Sequence, residues 1–138
     1  MKIRFVDLPR QNKILNKQLM RTIKEVVEEA DFNMGPRLRK FEDDFAKFCG
    51  KKYAVGMNSG TDALLLALMA YGIGKGDEVI VPANSYFSTA MIVSNIGAMP
   101  VFVDINPETY TIAITNLEKS ITKKTKVIIP VHLYRSLD

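Results

Sequence analysis

Apolar residues fall at Leu15, Leu19, Ile23, Val26, Val27 and Ala30 between Gln11 and Ala30. Steps of three and four place them on one face, so the pattern predicts an amphipathic helix with one buried stripe. An extended arm, Ile3 to Leu8, precedes it and stops at Pro9. Gly35-Pro36 breaks the pattern. A second amphipathic helix then carries Leu38, Phe41, Phe45 and Phe48 on one face and ends at Gly50.

After that the period changes. Four short β-rich runs appear: Tyr53-Ala54-Val55, Glu78-Val79-Ile80-Val81, Val101-Phe102-Val103 and Lys126-Val127-Ile128-Ile129. Helical segments separate them, at Asp62–Tyr71, Tyr86–Asn95 and Asn116–Ile121. Thr115 with Glu118 reads as a capping box for the last of these. The first two are apolar nearly all round and are expected to be buried. Strand–helix alternation with short connections predicts an α/β fold with a mostly parallel sheet. No segment returns across the sheet after the fourth run, so the expectation is the front part of a larger domain. The division expected is an arm and first helix over residues 1–36 and a partial large domain over residues 37–138.

Composition narrows the function classes. The 138 residues are 47% hydrophobic and 25% charged, values of an ordinary globular chain. The net charge is +4, and the densest basic patch, Lys119, Lys123, Lys124 and Lys126, has no interleaved aromatics. That pattern describes a solvated face rather than a nucleic-acid surface. A mildly basic chain still attracts phosphorylated small molecules. Cys49 is the lone cysteine, read as a packed thiol, and His132 the lone histidine, so neither a disulfide nor a metal cluster is expected. The N-terminus has no signal-peptide core, and the weakly polar run from Ala63 to Gly74 falls short of the roughly 20 residues a membrane span needs. No membrane partner is expected, and the reducing cytoplasm is the expected compartment.

The candidate chemistry lies in two small polar turns. Asn58-Ser59-Gly60-Thr61 leads into a helix N-terminus, where backbone N–H groups lack internal partners and the helix dipole is positive. Gly60 permits close approach and Ser59 and Thr61 add hydroxyls, which suits a phosphate; a plain helix cap explains the same residues. Neither GxGxxG nor GxxxxGK[ST] is present, so standard dinucleotide or nucleoside-triphosphate binding is not supported. The second turn, Pro82 to Thr89, also ends a strand and opens a helix. Tyr86 there can stack on a planar ring, or Tyr86 and Phe87 can be interior packing. The two clusters together point to a phosphorylated aromatic ligand.

The stretches "NSGTDALLLALMAYGIGKGDEVIVPANSYFSTA", "GAMPVFVDINPETYTI" and "TKVIIPVHLY" resemble the DegT/StrS family of sugar aminotransferases, which use pyridoxal 5′-phosphate (PLP). "MGPRLRKFEDDFAKFCGKKYAVGMNSG" fits the same family's lead-in. The resemblance covers nearly all of Phe5 to Tyr134. It implies the aspartate-aminotransferase fold, with the PLP-binding large domain mostly parallel and a smaller C-terminal domain, working as a homodimer. It implies transfer of an amino group, often from glutamate, to a nucleotide-linked keto-sugar, in polysaccharide or antibiotic sugar biosynthesis. By resemblance Gly60 and Thr61 hold the PLP phosphate, helped by Ser59 and Asp62. Tyr86 stacks on the pyridine, and Ser85, Phe87 and His132 are pocket-lining candidates. The resemblance also implies a pyridinium-pairing Asp and a Schiff-base Lys, and no position of this chain matches either. Arg135 stands where the family usually has Gly. Asp104 reads as a strand-end turn residue, and His132 as structural rather than a general base. No catalytic residue is therefore expected in this chain, which reads as a truncated N-terminal part. A PLP-dependent sugar dehydratase of the same family, or a non-catalytic relic or partner subunit, are the alternative readings.

Overall fold

The computed structural model describes residues 4–135. The beginning of the expected arm and the segment Ser136 to Asp138 lie outside the described residues. The chain divides into two compact units, Met1–Gly56 and Met57–Asp138.

The first unit is helical. Helix α1 spans Leu8–Glu29. It begins three residues earlier than the apolar pattern predicts, because Asp7 caps it: the Asp7 carboxylate accepts the Arg10 N–H at 3.3 Å. Pro9, expected to end an extended arm, lies in the first turn, where the missing N–H has no intrahelical partner to lose. The helix ends at Ala30 in a left-handed conformation (φ 52°). Of the predicted stripe, Leu15, Leu19, Ile23 and Val27 are exposed and Val26 is half-buried, and no residue of α1 is fully buried. Helix α2 spans Pro36–Phe48, with Phe41 and Phe45 stacked at 5.7 Å on an exposed face. Arg37 ties the unit together. Its guanidinium bonds Glu29 and reaches Asp31 at 3.3 Å and Glu25 at 3.5 Å. Cys49 is free and exposed, not packed. The expected strand Tyr53-Ala54-Val55 does not form: the run is irregular and joins no ladder, and the Glu42 carboxylate takes the Gly56 N–H that follows it, at 2.7 Å.

The second unit is an α/β layer. In chain order it holds α3 (Gly60–Ala70), β1 (Glu78–Pro82), α4 (Ser88–Asn95), β2 (Met99–Val103), α5 (Ile114–Ser120) and β3 (Thr125–Ile128). A 3₁₀ turn at Leu133–Arg135 follows. The three strands form a parallel sheet ordered β2-β1-β3, with Ile80 opposite both Val101 and Ile128. Side chains alternate across a strand, and β1 is covered on both faces. Val79 and Val81 pack with Leu68 of α3 and Ile92 and Val93 of α4. Ile80 packs the other way, with Val103, Ile112 and Leu117. This explains an unbroken apolar strand, as parallel sheets require.

Two expectations fail in this unit. Helix α3, apolar nearly all round, buries only Leu68, and Leu64, Leu66 and Met69 stay exposed. The capping box at Thr115 does not form. Helix α5 starts at Ile114, so Thr115 is already helical, and Ala113 holds the cap position without a side-chain bond.

Candidate functional site

The first cluster sits at the N-terminus of α3. Ser59 is extended (φ −154°, ψ 159°), which turns its hydroxyl back over the first helical turn. Ser59 Oγ accepts the Asp62 N–H at 3.1 Å and donates to Asp62 Oδ2 at 3.0 Å. The Ser59 carbonyl accepts the Ala63 N–H at 3.1 Å. The N–H groups of Gly60 and Thr61 belong to the first helical turn, where no intrahelical acceptor exists. Neither is taken by the cap. A Cβ built on Gly60 would meet no atom within 4 Å beyond its own turn, so the space beside this residue is open. Ser59 and Gly60 are exposed; Thr61 and Asp62 are half-buried. The arrangement is a helix cap that leaves two first-turn donors without an intrahelical acceptor, at the positive end of the helix dipole.

The second cluster lies past the C-terminal ends of β1 and β2. The ladder closes with Ala83 N–H donating to the Val103 carbonyl at 2.9 Å. The chain then leaves the sheet and turns into α4. Carbonyls of Tyr86 and Phe87 accept the Thr89 N–H at 2.9 Å and the Met91 N–H at 3.1 Å, which starts the helix just after the two aromatics. Tyr86 precedes the helix and Phe87 is its N-cap, in helical conformation (φ −50°, ψ −36°); the two rings are 79% and 75% exposed. With Ala83, Ser85, Thr89 and Phe102 they line an open cavity of ≈ 230 Å³. The Ser85 and Thr89 hydroxyls lie 2.9 Å apart. The interior-packing explanation of Tyr86 and Phe87 does not describe these exposed rings.

The structure brings Ser85, Tyr86 and Phe87 onto one wall. Ser59, Gly60, Thr61 and Asp62 form a separate group and do not line that cavity. Both groups nevertheless lie toward one end of the sheet. Helices α3 and α4 finish beside each other, where Gly72 and Ile73 share an apolar cavity with Asn95 and Ile96. That end leads directly into the starts of β1 and β2, whose Glu78 and Met99 are paired. Both helices run back from it, so their N-termini point toward the strands' C-terminal ends, where parallel sheets bind ligands. His132 is exposed beyond β3 and lines none of these surfaces. Asp104 follows β2, and its carbonyl accepts the Ala113 N–H at 2.9 Å beside the antiparallel bridge between Ile105 and Ile112.

Thr89, the last residue of the second small polar turn, and Phe102, in a β-rich run, carry no individual site signal in the sequence. Thr89 stands four residues after Ser85, the helical spacing that brings two side chains together. Phe102 carries no comparable signal. Its alternation with buried Val103 places it on the exposed face, but which turn it meets depends on the register with β1.

Among the described residues no helix is long and apolar enough to cross a membrane. The family model for the DegT/DnrJ/EryC1/StrS aminotransferase family matches residues 13–136. A pleiotropic regulatory protein of Geobacillus stearothermophilus is 42% identical over 134 residues, 97% of this chain and 36% of its own length. The UDP-2-acetamido-2-deoxy-3-oxo-D-glucuronate aminotransferase of Pseudomonas aeruginosa is 43% identical over 96% of this chain and 37% of its own length. Among solved structures, NtdA from Bacillus subtilis with bound cofactor PMP superposes with a TM-score of 0.89 at 40% identity. That match covers 96% of this chain and 31% of NtdA. The chain thus spans about a third of the length of the relatives it matches, and its fold is the N-terminal part of theirs.

Proposed function

The chain belongs to the DegT/DnrJ/EryC1/StrS aminotransferase family, and on that premise we propose that it serves a PLP-dependent transfer of an amino group to a nucleotide-linked keto-sugar. The observation that carries the reading is the α3 N-terminus: two uncapped N–H donors behind an open Gly60, on the side of the sheet where Tyr86 and Phe87 stand exposed. The donor set suits an anion and the aromatic wall suits a ring, so the residues present fit the phosphate and one face of PLP.

In this reading the Gly60 and Thr61 N–H groups and the Thr61 hydroxyl hold the phosphate. Ser59 and Asp62 keep that turn in shape through their paired bonds. Tyr86 lies against the ring, and Ser85 and Phe87 close the wall and exclude water. When bound, PLP supplies an electron sink for the carbon that carries the amino group. None of the residues lining the Tyr86 cavity is a lysine or a carboxylate, so this chain's part is to bind and orient. The amino donor in this reading is an amino acid such as glutamate. The working unit is a homodimer. Exposed apolar faces at Leu15, Leu19 and Ile23 and at Phe41, Phe45 and Phe48 support self-association. The free, exposed Cys49 thiol suits the reducing cytoplasm.

The test is a PLP titration of the 138-residue chain followed by absorbance. Thr61→Ala removes one hydroxyl bond to a charged acceptor, about 1.5–3 kcal/mol of binding. Gly60→Val places a branched side chain before the donors and abolishes saturation. Wild-type affinity in both variants returns the turn to a helix cap and nothing more.

A further inference from the structure

Thr89 lies in the first turn of α4 and is 6% exposed. Its hydroxyl has one partner among the described residues, Ser85 Oγ at 2.9 Å. Ser85 precedes it by four residues, is half-buried and stands on the wall of the Tyr86 cavity. Either oxygen can be the donor on distance alone. Burial decides between them. Each hydroxyl carries a single proton. A buried hydroxyl proton without an acceptor is costly, so buried polar groups are paired. Helical hydroxyls often bond the carbonyl four residues back, as Ser94 does with Ala90 at 3.5 Å, but Thr89 makes no such bond. The Thr89 proton therefore goes to Ser85 Oγ. One bond holds one proton, so the Ser85 proton is left over. The cavity, whose wall the more deeply buried Thr89 shares with Pro82, Ala83, Tyr86, Phe87, Ala90 and Phe102, is the open direction for it.

We propose that Thr89 is a positioning residue: its buried hydroxyl fixes Ser85 as a hydrogen-bond donor toward an oxygen of the ligand held in the Tyr86 cavity. This rests on the PLP reading above, and PLP is the probe that tests it. Ser85 alone would be a rotor, able to donate or accept. Accepting from Thr89 takes one of its two lone pairs and leaves its proton to give, so it offers that proton to an anionic or carbonyl oxygen at that point of the wall.

The experiment is a double-mutant cycle in the 138-residue chain, read as PLP affinity by absorbance and, separately, as melting temperature without ligand. Thr89→Val keeps the shape and removes the hydroxyl; Ser85→Ala removes the donor. Each is expected to weaken PLP binding about 3–10-fold, and the double variant no further, because both act through one bond. Thr89→Ser keeps the hydroxyl and is expected to bind within about twofold of wild type. Ligand-free melting shows the opposite cost: Ser85→Ala strands the Thr89 proton, and adding Thr89→Val relieves it. Should Thr89→Val lose its melting transition, Ser85→Ala and Thr89→Ser still decide the matter. Weakening in Ser85→Ala alone supports the assignment, and equal affinity in both overturns it. Additive losses in the cycle, with saturable wild-type binding, overturn the assignment and leave the PLP reading standing. Wild-type chain that never saturates overturns both.

Discussion

Ser59 and Asp62 bond each other in both directions: Ser59 Oγ takes the Asp62 N–H at 3.1 Å and gives its proton to the Asp62 carboxylate at 3.0 Å. The cap satisfies one donor of the first turn, and the carboxylate sits where the helix dipole favours negative charge. Ser59→Ala removes both bonds at once. It is expected to lower stability by about 1 kcal/mol in chemical denaturation. A variant as stable as wild type would mean that solvent replaces the cap at no cost.

Gly60 separates stability from binding. Nothing stands within 4 Å of the position a Cβ would take, and its φ is not positive, so alanine fits without strain. Alanine also restricts the unfolded chain more than glycine does, which favours the folded state by about 0.4–1 kcal/mol. Gly60→Ala is therefore expected to melt at the wild-type temperature or above it. The same methyl takes up space beside the Gly60 and Thr61 donors that a phosphate held there would approach, so PLP affinity is expected to fall. Loss of stability with unchanged affinity would contradict both halves of this argument.

The sheet was legible where burial on both faces forces a run of Val and Ile, as at Val79, Ile80 and Val81. The run Tyr53-Ala54-Val55 has the same β-forming composition, yet a strand exists only where a neighbour supplies the ladder, and composition does not reveal the neighbour. Stripes at Leu15, Leu19 and Ile23 show the same limit. Spacing fixes which face is apolar, not whether anything covers it. In the candidate site, the small residues at a helix start were visible in the sequence. The Ser85–Thr89 bond and the place of Phe102 needed the path of the turn after β1. Asp7 as a cap went unread because Pro9 looked like a stop, although a proline in the first turn marks a beginning.

Asp31 folds over Gly35. A Cβ at Gly35 would stand 1.4 Å from Asp31 Oδ1 and 2.5 Å from its Cγ. The same carboxylate accepts the Arg37 N–H at 3.3 Å and the guanidinium at 3.3 Å. Gly35→Ala must push the carboxylate off both. The expected cost is about 1–3 kcal/mol, the range of overpacking. Asp31→Ala removes the obstacle, so adding Gly35→Ala to it should cost little more. Circular dichroism of the three variants during urea unfolding checks this, and fully additive losses would show that the two residues do not clash.

Arg37 makes the helical unit sensitive to acid. Glu25 is held below its ordinary value of 4.5, first by its bond to Arg21 and then by Arg37. Glu29 is held below the same value by its bond to Arg37. Arg37 itself is pushed up, chiefly by Glu29, and stays charged throughout. A carboxylate whose value is lower in the folded chain binds protons more readily when unfolded. Its contribution is therefore complete above about pH 4.5 and fades as pH falls through the lowered folded values. Arg37→Met returns Glu29 toward its ordinary behaviour and leaves Glu25 its partner Arg21. The stability gap between wild type and Arg37→Met should be widest near pH 7 and narrow toward pH 3. Because Glu29 is exposed and Arg37 and Glu25 are only half-buried, salt at about 1 M, with a Debye length near 3 Å, should narrow it as well. A gap that stays constant from pH 7 to pH 3 would assign the loss to the packing of the Arg37 stem and not to its charge.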